Sequence, residues 1–135
     1  LQATAGIAGP AARPVARQLA DVRTDFAYAS DVFVRASLPA YAATTRRVFG
    51  PAAYDLLPAD AQGALVSVVY NRGGSMLGSS RREMRVIRDD CVPAGDLLCL
   101  ATQIRSMCRL WVGTELEAGL CARRRDEALL AERAR

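Results

Sequence analysis

Residues 64–76 read ALVSVVYNRGGSM, and the fold class turns on what this stretch forms. Its first seven residues are apolar almost all round, while β-branched Val66, Val68 and Val69 favour a strand locally. Pro58 stands at a plausible first helical position upstream, Gly73 and Gly74 stop the run, and no partner strand is evident elsewhere. The reading is a helix over PADAQGALVSVVYNRGG, buried on several sides. Its polar end, Tyr70-Asn71-Arg72, has two readings. It is either an ordinary last turn, with glycine in the left-handed position beyond it, or a device that delivers an amide and a guanidinium to the wall of a cleft.

Upstream, SDVFVRASLPAYAATTRRVFG offers Ser30 or Asp31 as an N-cap and Gly50 as a stop. Val32, Val34, Leu38, Tyr41 and Val48 mostly follow a helical stripe. Pro39 predicts a kink or break near Ser37. RPVARQLADV suggests one further helical stretch, and the opening LQATAGIAGPAA is small, uncharged and broken by Gly6, Gly9 and Pro10. Downstream, Ser80-x-x-Glu83 has the form of a capping box for a helix running to about Cys91. Asp96 caps LLCLATQIRSMCRLW, whose Leu97, Leu100, Ile104 and Met107 share a face, and Gly113 ends it. GLCARRRDEALLAERAR places Leu120, Leu129 and Leu130 near a common stripe beside a basic face. The pattern predicts an all-α chain of six to seven short helices, with 1–29 as a connecting segment and 30–135 as the helical domain.

The totals agree with that class. Of 135 residues, 51% are apolar and only 6% aromatic, so the core rests on Ala, Leu and Val, which suit helix packing. All 18 basic residues are arginine; there is no lysine and no histidine. The absence of histidine removes Ser-His-Asp and Cys-His catalysis and most catalytic zinc sites, and no cofactor or metal is implied. A net charge of +4 and a pI near 9.2 are compatible with an acidic polymer as partner, nucleic acid or bacterial cell wall. Cys91, Cys99, Cys108 and Cys121 include no CxxC, and they read as buried free thiols, with one or two disulfides as the alternative. No run approaches the roughly 18–20 apolar residues of a membrane span. The chain opens on Leu1 without signal-peptide character, which points to a processed product or a fragment.

Three constellations invite chemistry. Arg123-Arg124-Arg125-Asp126-Glu127 reads as a solvated face with local ion pairs, since acids follow the arginines at once. The amides and aromatics of a DNA reader are missing beside it, so no nucleic-acid partner is expected. Glu83 reads as the helix cap. As a general acid it would need an apolar pocket and a second carboxylate roughly 5–9.5 Å away. Trp111 reads as a core anchor.

Taken together, the motifs resemble a known family. LPADAQGALVSVVYNRGGSM, residues 57–76, resembles the second-lobe core of phage-type lysozymes, where an apolar helix reading ALVSF-x-(F/Y)-N-x-G leads to the glycan cleft. LGSSRREMRVIRD looks like the STLLRKL helix that follows there. RLWVGTELEAGLCARRRDEALL, residues 109–130, is similar to the closing signature of a Trp, GL-x-x-RR-x-x-E and a final apolar helix. Leu38-Pro39-Ala40-Tyr41 matches the LP-x-Y of a pesticin-like subgroup. The three blocks keep the family's order and spacing, and the resemblance covers roughly residues 30–131.

The resemblance implies a muramidase, which hydrolyses peptidoglycan between N-acetylmuramic acid and N-acetylglucosamine at the bacterial cell wall. It implies a substrate-binding set of Tyr70, Asn71, Arg72, Ser79 and Ser80. Asn71 would bond an N-acetyl group or sugar hydroxyl, and the arginines would attract the anionic lactyl and peptide carboxylates. The family's catalytic Glu, Asp and Thr belong to an N-terminal lobe with an E…TIGYG hairpin. This sequence has no GYG and no glutamate before Glu83. The expectation is a helical glycan-binding lobe, truncated ahead of its catalytic carboxylates, which would lie upstream of Leu1. Ala122 stands where the family often has the first arginine of its closing motif. The alternative is a non-catalytic module that binds cell wall or another protein. A third reading is an enzyme that recruited Glu83 or another internal acid, which needs a pocket and a partner carboxylate. Truncation also predicts exposed apolar surface on DVFVRASL and LCLATQI, and with it oligomerisation.

Overall fold

The structure is a computed structural model that describes residues 4–134, and it is all-helical, with no strand among them. Its two compact units divide between Arg35 and Ala36. In the first, a 3₁₀ turn at Gly9–Ala11 leads into α1 (Ala12–Gln18), and α2 follows at Phe26–Val32. Residues 1–3 of the opening segment lie outside the described residues. The cap of α2 is neither Ser30 nor Asp31. Asp25 takes that place, accepting a hydrogen bond from the Tyr28 backbone N–H at 3.0 Å, and Asp31 pairs with Arg35 one turn on. A π-helical turn, Phe33–Ser37, precedes Pro39, which has no N–H to return to the turn before it. The break expected near Ser37 is this widened turn.

The second unit holds α3 (Leu38–Phe49), α4 (Pro51–Tyr54) and α5 (Ala59–Arg72). A 3₁₀ turn at Ser79–Arg81 leads into α6 (Arg82–Val86), a π-helical turn at Ile87–Cys91 and α7 (Val92–Ala94). Then come α8 (Leu97–Ser106), a 3₁₀ turn at Met107–Leu110 and α9 (Glu117–Arg133). The stretch 64–72 is helical, as its flanking proline and glycines predict. Pro58 is its N-cap rather than its first residue. Ala61, Ala64, Leu65, Val68 and Val69 are all fully buried, because α3 and α9 both pack on α5. Alanines on facing helices, Ala101 on α8 with Ala128 and Ala131 on α9, are equally buried. Small side chains there let α9 lie close against both α5 and α8.

The two glycines that end α5 have different work. Gly73 adopts φ 73°, ψ 172°, a region essentially closed to side chains, and its N–H closes the helix on the Val69 carbonyl at 2.7 Å. Gly74 is a matter of space: a Cβ there would sit 2.9 Å from Val48 Cγ2 and 3.2 Å from Thr44 Cγ2 on α3. The chain leaves the helix through a backbone turn and passes at once over α3.

Helix α9 departs most from the sequence reading. Leu129 and Leu130 are each 40% exposed, whereas Cys121, Arg124, Glu127, Ala128 and Ala131 are buried. The inward face therefore carries a charge pair in place of leucines: the local ion pairs expected of the Arg123–Glu127 run are present, but Arg124 and Glu127 are buried and only Arg125 and Asp126 lie on a solvated face. Arg124 Nη2 donates to Glu127 Oε1 at 2.7 Å, Arg123 Nε to the same oxygen at 3.0 Å, and Ser67 Oγ of α5 at 2.6 Å. Three donors on one carboxylate oxygen offset part of the desolvation of the fully buried Arg124 guanidinium, whose burial still pushes its pKa below the ordinary range and whose Nε, like Glu127 Oε2, stays without a partner. The exposed apolar stretches also differ. Val32, Phe33, Val34 and Leu38 are exposed in DVFVRASL, but in LCLATQI Leu98 is the one exposed apolar side chain, since Leu100, Ala101 and Ile104 are fully buried.

The cysteines are not free thiols. Cys91 pairs with Cys99 and Cys108 with Cys121, at Cα–Cα distances of 5.4 and 4.9 Å. The left-handed Gly95 folds the chain back so that Cys99 meets Cys91, and the turn after α8 lies against the first turns of α9. Burial alone does not separate a thiol from a disulfide, so the sequence could not decide this. Non-reducing peptide mapping is expected to return these two pairs, with each bridge contributing about 2–3 kcal/mol against unfolding. A second expectation concerns α9. In urea melts Arg124→Leu loses about 3 kcal/mol or more, and adding Glu127→Leu recovers part of it, because the second change removes the stranded carboxylate.

Candidate functional site

The polar end of α5 opens on a cleft of about 380 Å³. Asn71 and Arg72 come from α5, and Ser80 and Arg81 from the turn before α6. Trp111, with Leu110 and Leu120, closes the other side. Of the five residues implicated by resemblance, Asn71, Arg72 and Ser80 meet here. The other two stand apart from the lining. Tyr70 is half exposed on α5, its ring edge-on to Tyr41 at 4.8 Å with the Arg123 guanidinium 5.7 Å from it. Ser79 contributes its backbone carbonyl to Arg109.

The rim is held by arginines. The turn from Gly73 to Arg81 has few regular backbone bonds, and side-chain donors take their place. Arg72 Nη2 donates to the Ser80 carbonyl. Arg85 Nη1 donates to the carbonyls of Met76 at 2.7 Å and Gly78 at 2.8 Å, and Arg109 Nη2 to that of Ser79 at 3.1 Å. A forked planar donor set suits this role, since one guanidinium can bridge carbonyls that a point-charged amine could not. Trp111 packs beside the core and carries two guanidiniums near its ring, Arg72 at 5.5 Å and Arg124 at 5.9 Å from the centroid.

Arg72 is therefore a crowded cation. Burial first, then the charges of Arg81, Arg124 and Arg109, push its pKa down to about 10, with Glu83 alone pulling the other way. It stays protonated at neutral pH. Its Nε–H is buried without an acceptor.

Glu83 behaves differently from its sequence reading. The helix it would cap begins at Arg82, after a 3₁₀ turn, and no side chain caps either element. Its carboxylate, 1% exposed, instead faces Arg109, with Nε to Oε1 at 2.5 Å and Nη2 to Oε2 at 3.0 Å. Burial pushes this carboxyl up, but the Arg109 hydrogen bonds, its own backbone N–H and the charges of Arg109 and Arg82 together hold it below the ordinary range. A carboxyl kept ionised in this way has no proton to lend a leaving group at neutral pH.

Sequence reasoning missed Arg81, Leu110, Trp111 and Leu120 as cleft residues. For Trp111 a signal existed: it follows a helix and precedes Gly113, a position at an edge rather than inside an element. Among the described residues no three His, Cys, Asp or Glu side chains gather as a metal site. No helix among them is long and apolar enough to cross a membrane.

Because the folded Glu83 carboxyl binds its proton less readily than in the unfolded chain, its contribution is fully present above about pH 5 and is lost as pH falls through its lowered folded value. Glu83→Gln is expected to cost about 1–2 kcal/mol at pH 7, discounted for the partly exposed Arg109, and to flatten the acid limb of stability against pH. Urea midpoints from pH 3 to pH 7 read both effects; an unchanged acid limb would show that the pair contributes nothing to it. No family model, curated protein or solved structure matches this chain.

Proposed function

We propose that this chain is the helical, glycan-binding lobe of a peptidoglycan hydrolase of the phage-lysozyme type, and that the cleft at the end of α5 holds the glycan strand. One observation carries the reading. Asn71, Arg72 and Ser80, which the family resemblance implicates from two separate sequence blocks, line one cleft together with Trp111 from a third. An amide, a hydroxyl and an indole face are what an N-acetylated sugar uses: hydrogen bonds for its polar rim and an apolar plane for its ring. The cleft is of small-ligand size, and two residues of its lining, Leu110 and Leu120, are apolar.

The role assigned to these residues is binding rather than bond cleavage. Glycoside hydrolysis needs a protonated carboxyl beside the leaving oxygen, and Glu83 is held ionised by Arg109. The reading leaves the hydrolytic carboxylates to a part of the enzyme other than this cleft. A non-catalytic wall-binding module would use the same cleft, and the commitment of Glu83 to Arg109 is the observation in its favour.

Sedimentation with purified insoluble peptidoglycan tests the proposal. The chain is expected to co-sediment saturably, and Asn71→Ala and Trp111→Ala each to weaken that binding by about tenfold, the worth of one well-placed contact. Failure to co-sediment would sink the glycan-binding reading. Release of reducing ends by this chain, abolished by a folded Glu83→Gln variant, would replace the binding role with a catalytic one.

A further inference from the structure

The two cysteine bridges stand in different settings. Around Cys91–Cys99 the backbone closes the same loop without help from sulfur. The Asp96 N–H bonds the Cys91 carbonyl at 2.9 Å, and the Asp96 side chain caps the Cys99 N–H at 2.9 Å. Val92 and Leu100, next to these cysteines in sequence, are buried in the core. None of these residues lines the cleft.

Cys108–Cys121 lies at the cleft wall. Cys108 belongs to the turn Met107–Leu110, which supplies Leu110 to the cleft and leads directly into Trp111. Cys121 follows Leu120, the residue that α9 contributes to the same wall. The bond therefore joins the two parts of that wall. On the turn side the chain is fixed without it: Met107 is fully buried, and Arg109 is held by Glu83 and by the Ser79 carbonyl. On the α9 side it is not. Cys121 is the first buried residue of the helix, and Arg124 is the next. Residues 112–116, which connect the turn to α9, are exposed throughout. Their hydrogen bonds are local, from the Gly113 N–H to the Glu117 carboxylate at 2.7 Å and from the Thr114 N–H to the Trp111 carbonyl at 2.9 Å. A helix end without buried side chains frays, since nothing but its own backbone bonds opposes local opening. The sulfur bond is the tether that keeps the first turn of α9, and Leu120 with it, against the cleft.

We propose that Cys108–Cys121 is a redox latch on the cleft. Oxidised, it holds Leu120 and the start of α9 beside Trp111; reduced, it releases them, and the cleft loses that wall. The inference rests on the glycan-binding reading above and adds the condition under which the cleft binds. The reductant is a dithiol, free or carried on a protein. One of its thiolates attacks Sγ of the partly exposed Cys108 and expels the thiolate of buried Cys121, which takes a proton. The second thiol then attacks the reductant's own sulfur in the mixed disulfide and expels the Cys108 thiolate, which is protonated in turn. The reductant leaves as a disulfide, having given up two electrons and two protons, and no other reactant is consumed. Disulfides persist in oxidising surroundings and are opened in reducing ones. The latch thus ties glycan binding to oxidising surroundings and leaves a chain kept reduced with an unfinished cleft.

Trp111 is the chain's single tryptophan, so acrylamide quenching of its fluorescence reads the wall directly. The test takes the full chain with Cys91→Ala and Cys99→Ala, which keeps one bridge, and titrates it with dithiothreitol. Peptidoglycan sedimentation, quenching and far-UV circular dichroism are followed together. Before reduction this variant is expected to bind as the parent does. Reduction should weaken sedimentation about tenfold and open Trp111 to quencher while the helical signal is kept, and re-oxidation should restore both. The Cys108→Ser, Cys121→Ser chain should match the reduced form, and its binding should no longer answer to the dithiol. Its comparison with the parent stands independently of the Cys91→Ala, Cys99→Ala background. Unchanged quenching and sedimentation on loss of the bridge overturn the latch and leave glycan binding standing. So does loss of the helical signal along with them, which makes the bridge a support of the whole fold. If the oxidised parent fails to sediment, the glycan-binding reading itself falls, and the quenching change alone then decides whether the bridge holds the wall.

Discussion

A guanidinium with no exposed side chain constrains everything around it. Arg124 points into the protein from α9, and its charge must be met within hydrogen-bond reach or the helix cannot lie where it does. Glu127, one turn on, meets it, and Ser67 reaches across from α5 to the same carboxylate oxygen. That one oxygen is where two long helices agree on their register. Met107 Sδ on the turn after α8 accepts a further contact at 3.9 Å, and the Trp111 ring lies beside the same guanidinium. Helices α5 and α9, the turn after α8 and the back of the cleft are therefore positioned by one ion pair.

Arginine does a second, more repetitive job in this fold. The turn from Gly73 to Arg81 makes few backbone bonds of its own, with the carbonyls of Gly78 and Ser79 each accepting one local N–H, and Arg72, Arg85 and Arg109 donate to four of its carbonyls from three different elements. Arg109 is also the partner of Glu83, so one side chain joins the buried carboxylate to the rim. The Cys108–Cys121 bridge fastens the turn that carries Arg109 to α9. The cleft rim is thus built from side-chain chemistry laid over a backbone that would not hold that shape unaided.

How much of this was legible in the sequence follows from where the governing interaction lies. Local rules worked at the Asp96 cap, the stops at Gly50 and Gly73 and the break before Pro39, which depend on neighbouring residues, although they chose Ser30 or Asp31 where Asp25 caps α2. They failed at Ser80 and Glu83, where the local pattern of a capping box was overridden by Arg109, 26 residues away. They failed again on α9, whose Leu129 and Leu130 face outward because its inward face is set by Ser67, 60 residues from Glu127. The periodicity was present all the same: Cys121, Arg124, Ala128 and Ala131 recur at helical spacing, and the small residues mark the packed face. Asn71, Arg72 and Ser80 were readable as a group only because a family resemblance joined two blocks that no local rule connects.

The cations of this cleft are all guanidiniums, in a chain without lysine or histidine side chains. Even Arg72, crowded by burial and by its neighbours' charges, keeps its proton to about pH 10. The positive field at the cleft is therefore constant across the whole range of pH in which cells live, and acylation, which neutralises lysine, has no side-chain amine here to act on. What varies is the solution. Dissolved salt screens such a field over a Debye length of about 8 Å at physiological ionic strength, shorter as salt rises. Whatever enters the cleft is sorted by ionic strength and by its own state of ionisation, against a protein charge that does not change.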